Sequence, residues 1–206
     1  MRKISIFNIE DEKDYLKNHY KIDINELNDD GDNALFSADA KKSEWLIRNG
    51  ITLNYKNLYN GCNALYTEYE FESTERTQVL IDAGININNL NKQNENALFY
   101  MNKNDSKILL VESGINIMQI NAFGLDALHN ANKDFTEFLI KKGINISRYP
   151  DEIEDILDMV KYGATANLIK KEKDRLLLIE KTKTEKKNIL GKIVFNDEDK
   201  NLKKRI

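Results

Sequence analysis

The 206-residue chain is 41% hydrophobic and 32% charged, with a formal net charge of −3. That length suits one elongated domain, the composition excludes a disordered chain, and the bulk charge gives no attraction to nucleic acid. A single cysteine, Cys62, excludes an internal disulfide and fits a reducing cytoplasm. The basic and apolar start, Met1 to Phe7, is cut short by Asn8, Glu10, Asp11 and Glu12, so no secretory signal is expected. No stretch approaches the roughly 18 apolar residues of a membrane span, and no membrane association is expected.

In chain order, residues 10–20 are expected to form a helix, followed by Lys21-Ile-Asp-Ile-Asn25. Then a block appears and returns: Asn33-Ala-Leu-Phe36, Asn63-Ala-Leu-Tyr66, Asn96-Ala-Leu-Phe99 and Asp126-Ala-Leu-His129. Its spacings are 30, 33 and 30 residues (33 to 63, 63 to 96, 96 to 126). A second block runs in step: Gly50-Ile-Thr-Leu-Asn54, Gly84-Ile-Asn-Ile-Asn88, Gly114-Ile-Asn-Ile-Met118 and Gly143-Ile-Asn-Ile-Ser147. Two interleaved blocks of one period define a repeat array, whose units must stack because none buries its own apolar face.

The third unit shows what each should fold into. Asn96 can cap the first turn of a helix, and Ala97 with Leu98 suits close helix packing. Residues 106–113 carry Ile108, Leu109 and Val111 at near-helical spacing, and Gly114 stops that second helix. The unit reads helix, tight turn, helix, extended loop.

These residues resemble the ankyrin repeat, whose pattern is Asp-x-x-Gly-x-Thr-Pro-Leu-His, a helix, then Leu-Leu-x-x-Gly-Ala-x-x-Asn. Here it runs from Asn28-Asp-Asp-Gly31 to Gly50, from Leu58-Tyr-Asn-Gly61 to Gly84, from Asn91-Lys-Gln-Asn94 to Gly114, and from Asn121-Ala-Phe-Gly124 to Gly143. Thr-Pro becomes Asn-Ala or Asp-Ala, and the His becomes aromatic in three units, a style similar to bacterial ankyrin proteins. Of the family's Thr and His network between repeats, only Asp126 and His129 could supply an imitation, and His129 takes the structural His position. The resemblance implies an all-α ankyrin-repeat solenoid of stacked helix-turn-helix units with capping half repeats at both ends. Residues 1–167 form the array, with four full repeats over 28–147. A shortened fifth unit begins at Pro150, with a helix over 153–160 and Gly163-Ala-Thr-Ala-Asn167. Residues 168–206 form a charged capping helix, with Leu168, Leu176 and Ile179 toward the array, and a solvated tail.

Chemistry-bearing constellations are sparse. His19, His129 and Cys62 cannot assemble the three or four ligands that zinc takes. Cys62, one residue after a turn glycine, is expected as an incidental surface thiol without a positioned base. Acidic pairs such as Asp29-Asp30 or Glu152-Glu154 are expected to be solvated, which leaves nothing to tune them for acid–base catalysis. No catalytic, metal or cofactor site is expected.

The resemblance implies partner contacts at loop tips and first helices on the concave side. Carried over, it selects Asp29, Asp30 and Asp32 in the first unit; Tyr59, Cys62, Tyr69, Glu70 and Phe71 in the second; Lys92, Gln93, Glu95 and Lys103 in the third; and Phe123, Leu125 and Lys133 in the fourth. Tyr66-Thr-Glu-Tyr-Glu-Phe-Glu72 alternates aromatics with carboxylates where the unit is longer, and either packs locally or offers an acidic aromatic contact. Phe123-Gly-Leu125 places apolar residues at a tip, for contact or for covering the fifth unit. The expected function is a non-catalytic protein-binding module. Its first reading is a monomeric cytoplasmic inhibitor or immunity protein whose acidic face takes a basic toxin or enzyme. The other reading is a secreted effector that binds a host protein.

Overall fold

The computed structural model describes residues 4–66, 73–129, 131–148, 170–171 and 173–187. The chain divides into two compact units, residues 1–138 and 139–206.

In the first unit a 3-10 turn, Ile6–Asn8, leads to helix α1, Glu12–Asn18, whose first turn is capped by Asp11 accepting from the Asp14 N–H at 2.8 Å. A 3-10 turn, His19–Lys21, ends the segment expected as one helix over 10–20. Three further helices follow: α2, Ala40–Arg48; α3, Thr74–Asp82; and α4, Asn104–Glu112. Helix α5, Lys133–Lys141, begins in this unit. α1 packs on α2, α2 on α3 and α3 on α4. Matching residues fill the stack: Leu35, Leu65 and Leu98 from the repeated block, and Leu46, Leu80 and Leu110 from the helices, all buried. Among the described residues the one trace of β structure is an isolated antiparallel bridge between Leu27 and Asn33. The unit is thus an all-α stack of ankyrin-type repeats.

The glycine stops behave as the sequence implies. At α4 the Gly114 N–H donates to the Val111 carbonyl at 3.1 Å and the Ile115 N–H to Leu110 at 3.0 Å, the paired bonds of a Schellman end. α2 and α3 end the same way at Gly50 and Gly84.

In the first, third and fourth repeats the first helix of the pair does not form as expected; in the second, residues 67–72 lie outside the described residues. Residues 33–37 and 126–129 make single turns, and the third repeat has a three-residue 3-10 turn, Ala97–Phe99. The reason is length. A 30-residue period is three shorter than the 33 usual for ankyrin repeats, and three residues are about one turn of helix.

The repeated asparagine does more than cap. Asn33, Asn63 and Asn96 each accept the backbone N–H two residues on, at 3.2, 3.1 and 3.2 Å. Each also donates its amide to the exit loop of its own repeat, to the carbonyls of Thr52, Asn86 and Asn116 at 3.0, 2.9 and 2.8 Å. All three are buried. One amide therefore closes the loop between the start and the end of a repeat, a task that serine or aspartate in its place would do only by half. Asp126 keeps the cap, accepting from Leu128 at 2.9 Å.

The last asparagine of the exit block links neighbours. Asn25, Asn54 and Asn88 accept the backbone N–H of Thr52, Asn86 and Asn116 in the following repeat, each at 2.7 Å. This second series does the joining between repeats that only Asp126 and His129 were expected to imitate. His129 itself is exposed.

Asn96→Asp tests the closing amide. It keeps the cap but sets a carboxylate against the Asn116 carbonyl, so unfolding free energy should fall by about 2 kcal/mol at neutral pH. That buried carboxyl would have a raised pKa, so its penalty is absent in acid and grows as pH rises. Urea unfolding of both chains at acid and neutral pH reads the difference; an equal gap at both pH values would refute the mechanism.

In the second unit the end of α5 is closed by Gly143 and Ile144, whose N–H groups donate to Ile140 and Leu139 at 3.0 Å each. A 3-10 turn, Ile146–Arg148, follows. Residues 170–171 and 173–187 are helical and mostly exposed, with Leu176 half-buried and Leu177 and Leu178 open to solvent. The shortened fifth repeat, Leu168 and the tail fall outside the described residues.

Candidate partner-binding surface

Each repeat of the first unit projects a finger. The hairpin bonds run from Asn28 N to Asp32 O (2.9 Å), Asn57 N to Cys62 O (2.8 Å), Asn91 N to Glu95 O (3.0 Å) and Asn121 N to Leu125 O (2.9 Å). The opening asparagine's side chain then accepts from the tip. Asn91 takes the N–H groups of Gln93 and Glu95 at 2.9 Å each, and Asn121 those of Phe123 and Leu125 at 3.0 Å each. The turn position needs a left-handed backbone, which asparagine tolerates: Asn94 stands at φ +60° where the other fingers have glycine.

The fingers are tied to one another. Lys92 N–H donates to the Asn60 carbonyl and Ala122 N–H to the Gln93 carbonyl, each at 2.8 Å. A Cβ on Gly61 would stand 3.3 Å from the Lys92 nitrogen, so glycine lets these backbones approach. Between the first two fingers side chains serve instead. Asn57 donates to the Asp30 carbonyl at 2.8 Å and to the Asp32 carboxylate at 2.6 Å, and the Tyr55 hydroxyl donates to the Gly31 carbonyl at 2.8 Å. The result is a row of tips in fixed register.

The expected site residues separate into frame and surface. Asp32 is half-buried and bonded to Asn57; burial raises its carboxyl above the usual range, Asn57 opposes that, and Asp30 adds to it. Glu95 bridges the third and fourth fingers, accepting from Asn91 at 2.9 Å and Asn121 at 3.0 Å. Both carboxylates hold the frame, so among the described residues of the expected site the free acidic charge narrows to Asp29 and Asp30, which are exposed. Lys103 is half-buried at the cap of α4, and Leu125 is half-buried. Lys92 is exposed but sends its ammonium to the Leu58 carbonyl at 2.8 Å. Gln93 and Lys133 are exposed. Tyr69, Glu70 and Phe71 lie outside the described residues.

Tyr59 and Phe123 are 71% and 74% exposed. Leu58, which the sequence reading passed over, is equally open at 74%. Its signal was there: an apolar pair, Leu58-Tyr59, in the segment that elsewhere holds Asp29-Asp30 or Lys92-Gln93.

Cys62 is not the surface thiol expected. It is buried on the returning arm of its finger. Burial first, then the Asp32 and Glu95 charges, push its thiol from 9.0 up to about 11, against a hydrogen bond with Asn91. A thiol pKa raised by folding favours the fold below the unfolded value, and that advantage is lost as pH rises through about 11. A disulfide-exchange reagent should therefore react on the order of a hundredfold more slowly with the folded chain than with the urea-unfolded one near pH 8, because the thiolate is the nucleophile. Equal rates by absorbance would mean that Cys62 is open.

Beside it, the buried Tyr66 hydroxyl bonds the carbonyls of Asn89 and Glu95, and its ring meets Tyr100 edge-on at 5.3 Å between centroids. Tyr66 joins the second repeat to the third. Among the described residues no three His, Cys, Asp or Glu side chains converge as a metal site, and no helix is long and apolar enough to cross a membrane.

Capped turns, glycine-stopped helices and hydrogen-bonded fingers together define a stack of ankyrin-type repeats. No family model matches the chain, and no curated protein does. Among solved structures it is similar to the ankyrin repeat domain of Bcl-3, described as a unique member of the IkappaB protein family, at 22% identity and a TM-score of 0.46. That likeness covers 52% of this chain and 50% of the other, so the chain spans about half the length of the structure it matches.

Proposed function

We propose that this chain is a non-catalytic module that grips a partner protein with its row of fingertips, and that it acts in the cytoplasm as an inhibitor or immunity protein against a basic partner, such as a toxin or enzyme. The observation that carries the reading is the tip row: Leu58, Tyr59 and Phe123 stand open on fingers whose backbones are already fixed. Exposed aromatics supply most of the energy of an interface, and a preformed frame loses little entropy when it binds. Asp29 and Asp30, beside them on the first finger, suit a basic partner.

Affinity capture of the tagged chain from its own cells, at low and moderate salt, tests the reading. One stoichiometric basic protein, inhibited when the chain is added back, supports it. A chain that retains nothing from its own cells but a protein from host lysate would replace the inhibitor by an effector. With the captured partner, Asp30→Lys should slow association several-fold at low salt, with the difference fading as salt rises. An on-rate unchanged at every salt concentration would remove the electrostatic half of the argument.

A further inference from the structure

We propose that Asn60 is a self-modification site, at which the fingertip converts its own asparagine to aspartate and isoaspartate. The chain has two Asn-Gly pairs in the described residues, Asn49-Gly50 and Asn60-Gly61. In such a pair no side chain on the following residue blocks its nitrogen from the asparagine Cγ. The structure treats the two pairs in opposite ways.

At Asn60 the residue is exposed, and its Oδ1 accepts the Cys62 N–H at 2.8 Å. That bond folds the side chain back over the Gly61 peptide and draws electron density from Cγ. It also stabilises negative charge on Oδ1 as a new bond forms, as a fixed backbone donor does for any developing oxyanion. Nothing among the described residues bonds the Asn60 Nδ2, so the leaving group is free to take a proton from water. The Gly61 N–H donates to the Asn57 carbonyl at 2.8 Å, so hydroxide must compete with that bond and the reaction is slow and base-driven.

At Asn49 the leaving group is pinned. Its Nδ2 donates to the Trp45 carbonyl at 2.8 Å and to the Glu12 carboxylate at 2.9 Å, and Arg48 holds the same carboxylate at 2.6 Å. Gly50 N–H is bonded into the end of α2 at 3.1 Å.

The steps balance without an oxidant. The Gly61 nitrogen loses its proton to hydroxide and bonds to Cγ; the Cγ–Nδ2 bond breaks and ammonia leaves, giving a succinimide. Water opens that ring at either carbonyl. Opening at one gives aspartate. Opening at the other routes the main chain through Cγ, and the former Asn60 carbonyl becomes a side-chain carboxylate. That carbonyl is the acceptor for Lys92 N–H, so the isoaspartyl product unties the second finger from the third. Both products add a negative charge beside Tyr59. The modification stands on this chemistry whether or not the fingertips take a partner.

The test is peptide mapping by mass spectrometry of the intact folded chain held at neutral and at alkaline pH, with enzymatic labelling of isoaspartate. The expected result is the mass gain of amide-to-acid exchange, with isoaspartate, on the peptide holding Asn60, faster at alkaline pH. The peptide holding Asn49 stays unchanged until the chain is unfolded in urea. Asn60→Gln should abolish the gain with the helical circular dichroism intact. A folded chain that gains nothing at Asn60 while its unfolded form reacts at both pairs would overturn the proposal, as would equal gains at Asn49 and Asn60 in the folded chain.

Discussion

Arg76→Met should lower the free energy of unfolding by about 3 kcal/mol, read as a lower urea midpoint. Arg76 is 1% exposed and sits in the first turn of α3. Its Nε donates to the Ala38 carbonyl at 2.6 Å, and one terminal nitrogen donates to Leu35 at 2.7 Å and Ala64 at 2.8 Å. The Leu35 and Ala38 carbonyls lie at the single inner turn of the first repeat, where a full helix would have continued and used them, and the Ala64 carbonyl lies in the repeated block of the second. Burial lowers the guanidinium to about 10, so it remains charged at neutral pH, and its desolvation is offset by three charge-assisted bonds. Methionine fills similar volume but leaves three carbonyls bare, at about 1–3 kcal/mol each, while relief from a buried charge returns part of that. A folded pKa held below the unfolded one adds stability only as pH rises past about 10, so the deficit should be flat across neutral pH. Because Arg76 joins the first repeat to the second, the loss should also be uneven. Trp45, the one tryptophan, packs on Tyr15 at 5.5 Å and reports the first repeat. In the variant its fluorescence should melt at lower urea than the circular dichroism, where the parent shows one transition, as weakened coupling in a repeat stack requires. A variant as stable as the parent would mean that the three carbonyls find other donors.

The contrast between Arg76 and the asparagines shows how much of the molecule a sequence can disclose. Gly50, Gly84, Gly114 and Gly143 stop helices because each recurs in one block, and repetition turned a weak local signal into the period of the fold. Asn33, Asn63 and Asn96 were legible as caps for the same reason. Their second bond was not, because it depends on how close the exit loop returns. Arg76 recurs nowhere: three residues after each helix cap the chain has Lys42, Arg76, Ser106 and Phe135, and no pattern marks one of them as a bridge. The loss of the first helices was present in the 30-residue spacing, but resemblance to a longer repeat spoke louder. Of the candidate surface, Tyr59 was selected by the resemblance and Phe123 as an apolar residue at a loop tip, and both stand exposed. The burial of Cys62 and the bonds of Asp32 and Glu95 across fingers were not legible, because polarity and position in one finger do not say what the next finger presses against them.

Tyr59→Ala combined with Phe123→Ala should weaken binding of the captured partner by about a thousandfold, with the fold intact. A buried aromatic at an interface contributes about 2 kcal/mol or more, roughly thirtyfold in affinity. The two residues stand on different fingers, the second and the fourth, so their effects should nearly add. Neither supports the core, being 71% and 74% exposed, so neither truncation opens a cavity. Tyr59 lies over Gly31, where a Cβ would stand 2.7 Å from its ring, but Asn57 and Tyr55 bond the same finger and should keep it in place. Loss should appear mainly as faster dissociation, since charge rather than aromatic contact sets the encounter. Glu95→Gln gives the opposing case. It removes a bridging carboxylate between the third and fourth fingers, so it should lower stability and leave Tyr59 untouched. If calorimetry found the double variant binding as tightly as the parent, the tip row would not be the contact surface. If Glu95→Gln alone abolished binding at full occupancy of the fold, register between fingers rather than the aromatics themselves would be what the partner reads.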